Sequence, residues 1–210
     1  DKDLAPIAML AIVPLALAVP AKAPYSTMAE FMAALRTKKL TFASAGTGTP
    51  GHFAGEFLKA KTHGDLTHVP YKGAGPALTD LIGNHVDFYF PGMPAVMPHI
   101  KSGLLKVFAV SSAKRSPIAP DVPTVAESAG IKDFDFTLWA GVFAPHATSP
   151  AVIAKLNSEI NKVLADPEVH KKLVDAGADA EPMSVDQFRA FVAAESAKYA
   201  RIIKETGVTA

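Results

Sequence analysis

Two apolar runs of strand length open the chain, Ile7–Val13 and Leu15–Val19. Such runs predict strands inside a sheet covered on both faces. From Ser26 onward strand and helix signals alternate. Ser26 is the expected cap of a helix over Met28–Leu35, with Phe31, Met32 and Leu35 on one face. Leu40–Ala43 reads as a strand, and Thr49 as the N-cap of a helix with Pro50 at its first position. Leu66–Val69 is the next strand, and Gly75-Pro76 opens a helix carrying Leu78, Leu81 and Ile82. Val86–Phe90 reads as a strand, Pro91–Ser102 as a helix stopped by Gly103, and Leu104–Val110 as a strand. The order β-α-β-α-β-α-β predicts an α/β fold with a mostly parallel sheet.

The pattern then changes. Ser116–Pro123 is a proline-rich loop, and Asp135–Phe143 alternates and holds Trp139. Helices are expected after Ser149-Pro150, after Asp166-Pro167 and after the capping box Ser184–Gln187. This divides the chain into a complete α/β lobe over 22–108 and a second body from 1–21 plus 109–210.

The absence of charge from Leu4 through Ala21 resembles a membrane span, and Ala21-Lys22-Ala23 resembles a signal cleavage site. The acidic flank Asp1-Lys2-Asp3 and the interruptions at Pro6, Pro14 and Pro20 favour buried strands instead. The chain begins without Met and reads as part of a longer precursor. Of its 210 residues 49% are hydrophobic, enough for a sizeable core. A net charge of +1 without a basic cluster argues against a nucleic-acid partner. The absence of Cys excludes disulfides, thiolate metal sites and a Cys nucleophile.

The candidate chemistry lies in Ser44, Ala45, Gly46, Thr47, Gly48 and Thr49, followed by Pro50, Gly51 and His52. A strand ends, glycines follow and a helix begins. Backbone N–H groups there, beside a helix N-terminus, suit an anion. Hydroxyls of Ser44, Thr47 and Thr49 add donors, and His52 is placed to donate to a bound oxyanion. The alternative is a plain turn in which Thr49 only caps. Gly46, Gly48 and Gly51 also match the dinucleotide pattern G-x-G-x-x-G, which would make this an NAD-type enzyme. That fingerprint needs an acidic residue at the end of the second strand. Here Pro70-Tyr71-Lys72 stands there, and Asp65 lies at the wrong edge.

A second glycine-rich turn, Tyr71-Lys72-Gly73, falls on the same expected sheet edge. Lys72 can balance ligand charge or be a solvated lysine, and Tyr71 can wall a pocket or cover the sheet edge. Asp87 can accept backbone N–H groups or meet a ligand. No G-x-S-x-G elbow and no metal-binding histidine spacing occurs, so no catalytic residue, metal or cofactor is assigned.

Taken together, several segments carry a resemblance that runs essentially end to end. They include 3–7, SAGTGT at 44–49, HVPYKG at 68–73, PALTDL at 76–81, PHIKSG at 98–103, SSAKRS at 111–116, DVPTV at 121–125 and LADPEV at 164–169. The chain resembles the Bug-family solute receptors of the tripartite tricarboxylate transporter system. The resemblance implies a two-lobed, type II periplasmic-binding-protein-like fold of the Venus flytrap kind, without catalysis. It implies a small carboxylate ligand (a di- or tricarboxylate, an aromatic acid or an amino acid) and membrane permease partners. By position, 44–49 is the ligand loop of the second lobe, and Trp139 and Phe143 would line the cleft near the hinge. Relatives carry a further N-terminal strand, glycine-rich loop and helix, so the first lobe is expected to be incomplete here. Pro91-Gly92 stands where many relatives have Asp or Asn, and no contact is assigned there.

Overall fold

The computed structural model describes residues 3–208; Asp1 and Lys2 of the acidic flank lie outside them. The described residues form two compact units, one of residues 3–13 and 139–201, the other of 14–138 and 202–208.

The larger unit is built on a five-stranded sheet. Its strands are β2 (Ala16–Pro20), β3 (Leu40–Ser44), β4 (Leu66–Pro70), β5 (Phe88–Tyr89) and β6 (Leu105–Val110), in the order β4-β3-β5-β2-β6. β3 pairs in parallel with β4 and β5, whereas β2 runs antiparallel to both β5 and β6. The boundary at 22 expected from the sequence therefore cuts off an inner strand. All five residues of β2 are buried, which is why its sequence is apolar throughout.

Alternation along the strands sorts the core between two faces. Phe42 and Phe88 stack on one face at 5.5 Å, and Phe31 of α1 (Met28–Thr37) meets Phe88 there edge-on. On that face α2 (Pro50–Thr62) brings Gly55 so near Phe42 that a Cβ would lie 2.2 Å from the ring. Ala16, Ala18, Ala43 and Tyr89 form the other face, under Ala77 and Leu81 of α3 (Ala74–Ile82) and Met93 and Val96 of α4 (Met93–Lys101).

Two local expectations shift. The cap of α1 is Thr27, not Ser26: the Thr27 hydroxyl accepts from the Glu30 N–H, and the Ser26 N–H donates to the Glu30 carboxylate. The Glu30 carboxylate thus reaches one residue beyond the cap, and the return bond of a capping box falls on Ser26 instead of Thr27. Within the stretch after 116, α5 (Val125–Ala129) is a short helix with a reciprocal Thr124–Glu127 box.

The smaller unit pairs β1 (Leu4–Pro14) with β7 (Thr137–Pro145) and adds α6 (Pro150–Leu164), α7 (Pro167–Asp175) and most of α8 (Val185–Thr206). Ile7, Ala8 and Ala144 pack with Ile153 and Ile160 of α6. Buried Asn157 ties this helix to the sheet: its amide donates to the Ile7 carbonyl at 2.7 Å and the Met183 carbonyl at 2.9 Å. Ser184 and Gln187 bond reciprocally at the start of α8, as the capping pattern requires.

Candidate functional site

Parallel pairing of β3 and β4 brings the two glycine-rich turns together at the carboxyl ends of these strands. The Tyr71 N–H donates to the Ser44 carbonyl and the Gly73 N–H to the Ala45 carbonyl, both at 3.0 Å. Gly46 and Gly73 take φ of +140° and +113°, and Gly48 takes +80°, conformations that favour glycine. Gly51 differs. Its φ is ordinary, and it is needed because α2 approaches the end of β5 closely: a Cβ there would lie 2.7 Å from the Phe90 carbonyl oxygen.

The loop spends part of its hydrogen-bonding capacity on itself. The Gly46 N–H donates to Ser44 Oγ at 3.1 Å, the Gly48 N–H to His52 Nδ1 at 3.1 Å and the Thr49 N–H to the Gly46 carbonyl at 3.3 Å. The Thr49 hydroxyl also turns to the Gly46 carbonyl, at 2.8 Å, so Thr49 occupies the N-cap position of α2 without making the cap bond. The N–H groups of Ala45, Thr47, Gly51 and His52 have no hydrogen-bond partner among the described residues. They lie at the end of β3, in the loop and in the first turn of α2, where the helix dipole is positive. The fan of donors expected over 44–49 is thus reduced, and its remainder extends into the helix.

His52 is not placed as expected. It is 5% exposed, and its Nδ1 accepts the Gly48 N–H, so the side chain supports the loop from beneath. His68 of β4 stacks on it with ring centroids 3.9 Å apart, and Phe42 stacks on His68 at 4.9 Å. His68 Nε2 lies 2.7 Å from Ser44 Oγ, and Ser44 is fully buried. Burial lowers the pKa of His52. Burial, then His52 and then Lys59, lowers that of His68 to about 4. The motif HVPYKG names His68, but only the β3–β4 register puts it under the loop.

The Tyr71 side chain is tied to α3: its hydroxyl donates to Asp80 at 2.6 Å. Burial first and this bond second push its pKa up to about 12. Lys72 is exposed and forms no ion pair among the described residues. Asp87 lies at the opposite ends of the strands, where its carboxylate accepts the Thr41 N–H at 2.7 Å and the Thr41 hydroxyl at 2.9 Å. It fixes the start of β5 and is apart from the loop. Trp139 and Phe143 belong to the smaller unit, packed on Phe188 of α8, with Phe191 5.6 Å from Trp139. Phe143 also borders a cavity of about 690 Å³ in that unit, beside Leu4, His146 and Arg189.

A match to the receptor family of the tripartite tricarboxylate transporter, TctC, extends over residues 1–208. The chain belongs to this family. Relatives include BugT of Bordetella pertussis, 35% identical over 98% of this chain and 64% of its own length. Another is the UPF0065 protein of the tcbD-tcbE intergenic region of Pseudomonas sp. strain P51, 38% identical over 84% of this chain and 53% of its own. The chain thus spans between half and two thirds of these relatives. Among solved structures, Rpa4515 of R. palustris with adipate matches at a TM-score of 0.90 and 30% identity, covering 99% of this chain and 70% of that one. MatC of Rhodopseudomonas palustris with bound malate matches at 0.80 and 28%, covering 97% and 69%. The periplasmic binding protein BugD matches at 0.85 and 30%, covering 98% and 70%. The α/β architecture is that of periplasmic binding proteins. The dinucleotide-enzyme alternative is set aside, because these neighbours are solute-binding proteins. The structure agrees: Asp65 sits at the amino end of β4, 3.6 Å from Lys39.

No group of three or more His, Cys, Asp or Glu able to hold a metal occurs among the described residues. No helix among them is long and apolar enough to cross a membrane.

Proposed function

We propose that the protein binds a small carboxylate in the periplasm for delivery to the membrane subunits of a tripartite transporter. The observation that carries this reading is the set of unpaired N–H groups of Ala45, Thr47, Gly51 and His52 around the start of α2. Partial positive charge from such donors suits an acid group, and Tyr71, Lys72 and Gly73 flank them on the adjoining turn. Adipate and malate in the related receptors support the ligand class, without fixing which acid this protein takes. Trp139 and Phe143 enter the proposal as cleft-lining groups of the smaller unit; Asp87 does not.

The test is titration calorimetry of the full-length gene product against mono-, di- and tricarboxylates, with NAD as a control. Saturable binding of at least one acid and none of NAD is expected. Failure of every acid in the panel overturns the reading.

A further inference from the structure

Beneath the glycine loop lies a pair of histidines that ligand capture does not itself require. His52, in the first turn of α2, uses Nδ1 to accept the Gly48 N–H at 3.1 Å, so its ring proton resides on Nε2. His68, on β4, lies against it in a near-parallel stack, with 17° between the planes. The same His68 touches Ser44 Oγ, which accepts the Gly46 N–H. The two rings therefore hold both ends of the segment containing the unpaired Ala45 and Thr47 amides. From this arrangement, the geometry points to His52 and His68 as a proton-sensitive bracket that positions the loop for its ligand and releases it on acidification.

The mechanism is local. Protonation of His52 at Nδ1 replaces the acceptor with a donor, and two N–H groups then face one another across the former bond. It also sets a cation against the His68 ring, which is itself a proton acceptor candidate. The neighbouring charged group acting on His68 is Lys59 of α2, which opposes protonation. Glu56, one turn beyond His52 on α2, is under the influence of Lys59, and burial raises its pKa. β3 presents only the uncharged Phe42 and Ser44. Among the described residues no carboxylate raises the pKa of either ring. The lowered pKa of each ring agrees with a bracket held in the neutral state.

The effect on affinity rests on the proposed carboxylate reading; the effect on Gly48 does not. NMR of the ligand-free full-length gene product, from about pH 8 to about pH 4, follows Gly48 amide exchange corrected for its intrinsic rate, together with the ring nitrogen shifts. Affinities for adipate and malate are measured in parallel. Gly48 is expected to be protected at least ~10-fold at neutral pH, and to lose protection as His52 titrates below its ordinary 6.5. His52→Asn keeps an acceptor that does not titrate, so Gly48 should stay protected in acid and affinity should lose the part of its acid dependence that follows His52, leaving that of ligand and His68 protonation. His52→Ala should lose protection at all pH values. Unchanged Gly48 exchange in His52→Ala, or a neutral His52 ring with its proton on Nδ1, overturns the bracket. Acid loss of Gly48 protection with neither acid bound leaves the bracket standing and counts against the carboxylate reading.

Discussion

Gly51→Ala tests the packing that places α2 over the sheet edge. A Cβ at this position would lie 2.7 Å from the Phe90 carbonyl oxygen and 3.5 Å from Tyr89 Cε2. Relief to ordinary contact needs ~0.7 Å of movement between two backbone segments, since the group in the way is a carbonyl and not a mobile side-chain end. Phe90 cannot easily retreat: it is 1% exposed and packs 5.6 Å from Phe134. The next residue, Pro91, accepts the Ala16 N–H of β2. The helix end must lift instead, against the buried contacts of Phe53 and Phe57. Overpacking of this kind costs about 1–3 kcal/mol, offset by at most ~1 kcal/mol of alanine helix propensity. A net loss of ~1–2 kcal/mol in urea unfolding is therefore expected. Ligand affinity should fall with it, because the unpaired Gly51 and His52 amides move. Gly75→Ala is the control: nothing lies within 4 Å of its Cβ position, and a gain of up to ~1 kcal/mol is expected. A Gly51→Ala protein as stable as the Gly75→Ala protein would refute the close-approach argument.

Asp87→Ala removes two bonds from the Thr41 N–H and hydroxyl to a carboxylate; ~2 kcal/mol of stability should be lost in urea melts, with ligand affinity unchanged because the site is at the other strand ends. Asn157→Ala removes the side-chain donor to the Ile7 carbonyl and leaves the Met183 carbonyl with the Asn161 amide alone, and a loss of ~1–2 kcal/mol is expected from the same measurement. Stability should also depend on acid. His68 has a folded pKa of about 4 against an ordinary 6.5, so its contribution is complete above 6.5 and disappears as the pH falls to about 4. Its size is ~1–2 kcal/mol after allowance for solvent screening. His68→Gln should flatten that part of the pH–stability curve; an unchanged curve would remove the assigned cause.

The order of elements was legible because period and punctuation agreed at most positions. Proline and glycine marked the ends of α2 and α4, and the apolar β2 announced its burial. Direction was not legible: nothing in Ala16–Pro20 distinguishes an antiparallel inner strand from a parallel one, because both faces of either are covered. The unit boundary was misplaced for the same reason, since strand membership is a matter of pairing. In the site, the glycine loop was visible as a loop, but not which of its amides remained unpaired. That depends on Ser44 Oγ and His52 Nδ1 accepting from Gly46 and Gly48. The contact of His68 with Ser44 was not legible because the two are 24 residues apart, and register alone brings them together. The packing of Trp139 and Phe143 on Phe188 of α8 was not legible either, because the partners lie some 45–49 positions further along the chain.

If dipoles rather than ions hold the acid, salt should matter little. The loop offers N–H groups of Ala45, Thr47, Gly51 and His52, and the helix terminus behind them carries an effective charge of about +0.5. The full charge on the adjoining turn is Lys72, which is exposed and forms no ion pair among the described residues. An exposed ammonium is screened over ~8 Å at physiological ionic strength, whereas hydrogen bonds made at contact distance are not. Affinity for a bound carboxylate should then change by less than ~3-fold between ~0.02 M and ~0.2 M salt, and Lys72→Ala should weaken binding by no more than ~1 kcal/mol. Calorimetry at the two salt concentrations, on the wild type and the variant, separates the cases. A tenfold loss with salt that vanishes in Lys72→Ala would transfer the recognition of charge from the backbone to the lysine. The unpaired amides would then contribute orientation and not affinity.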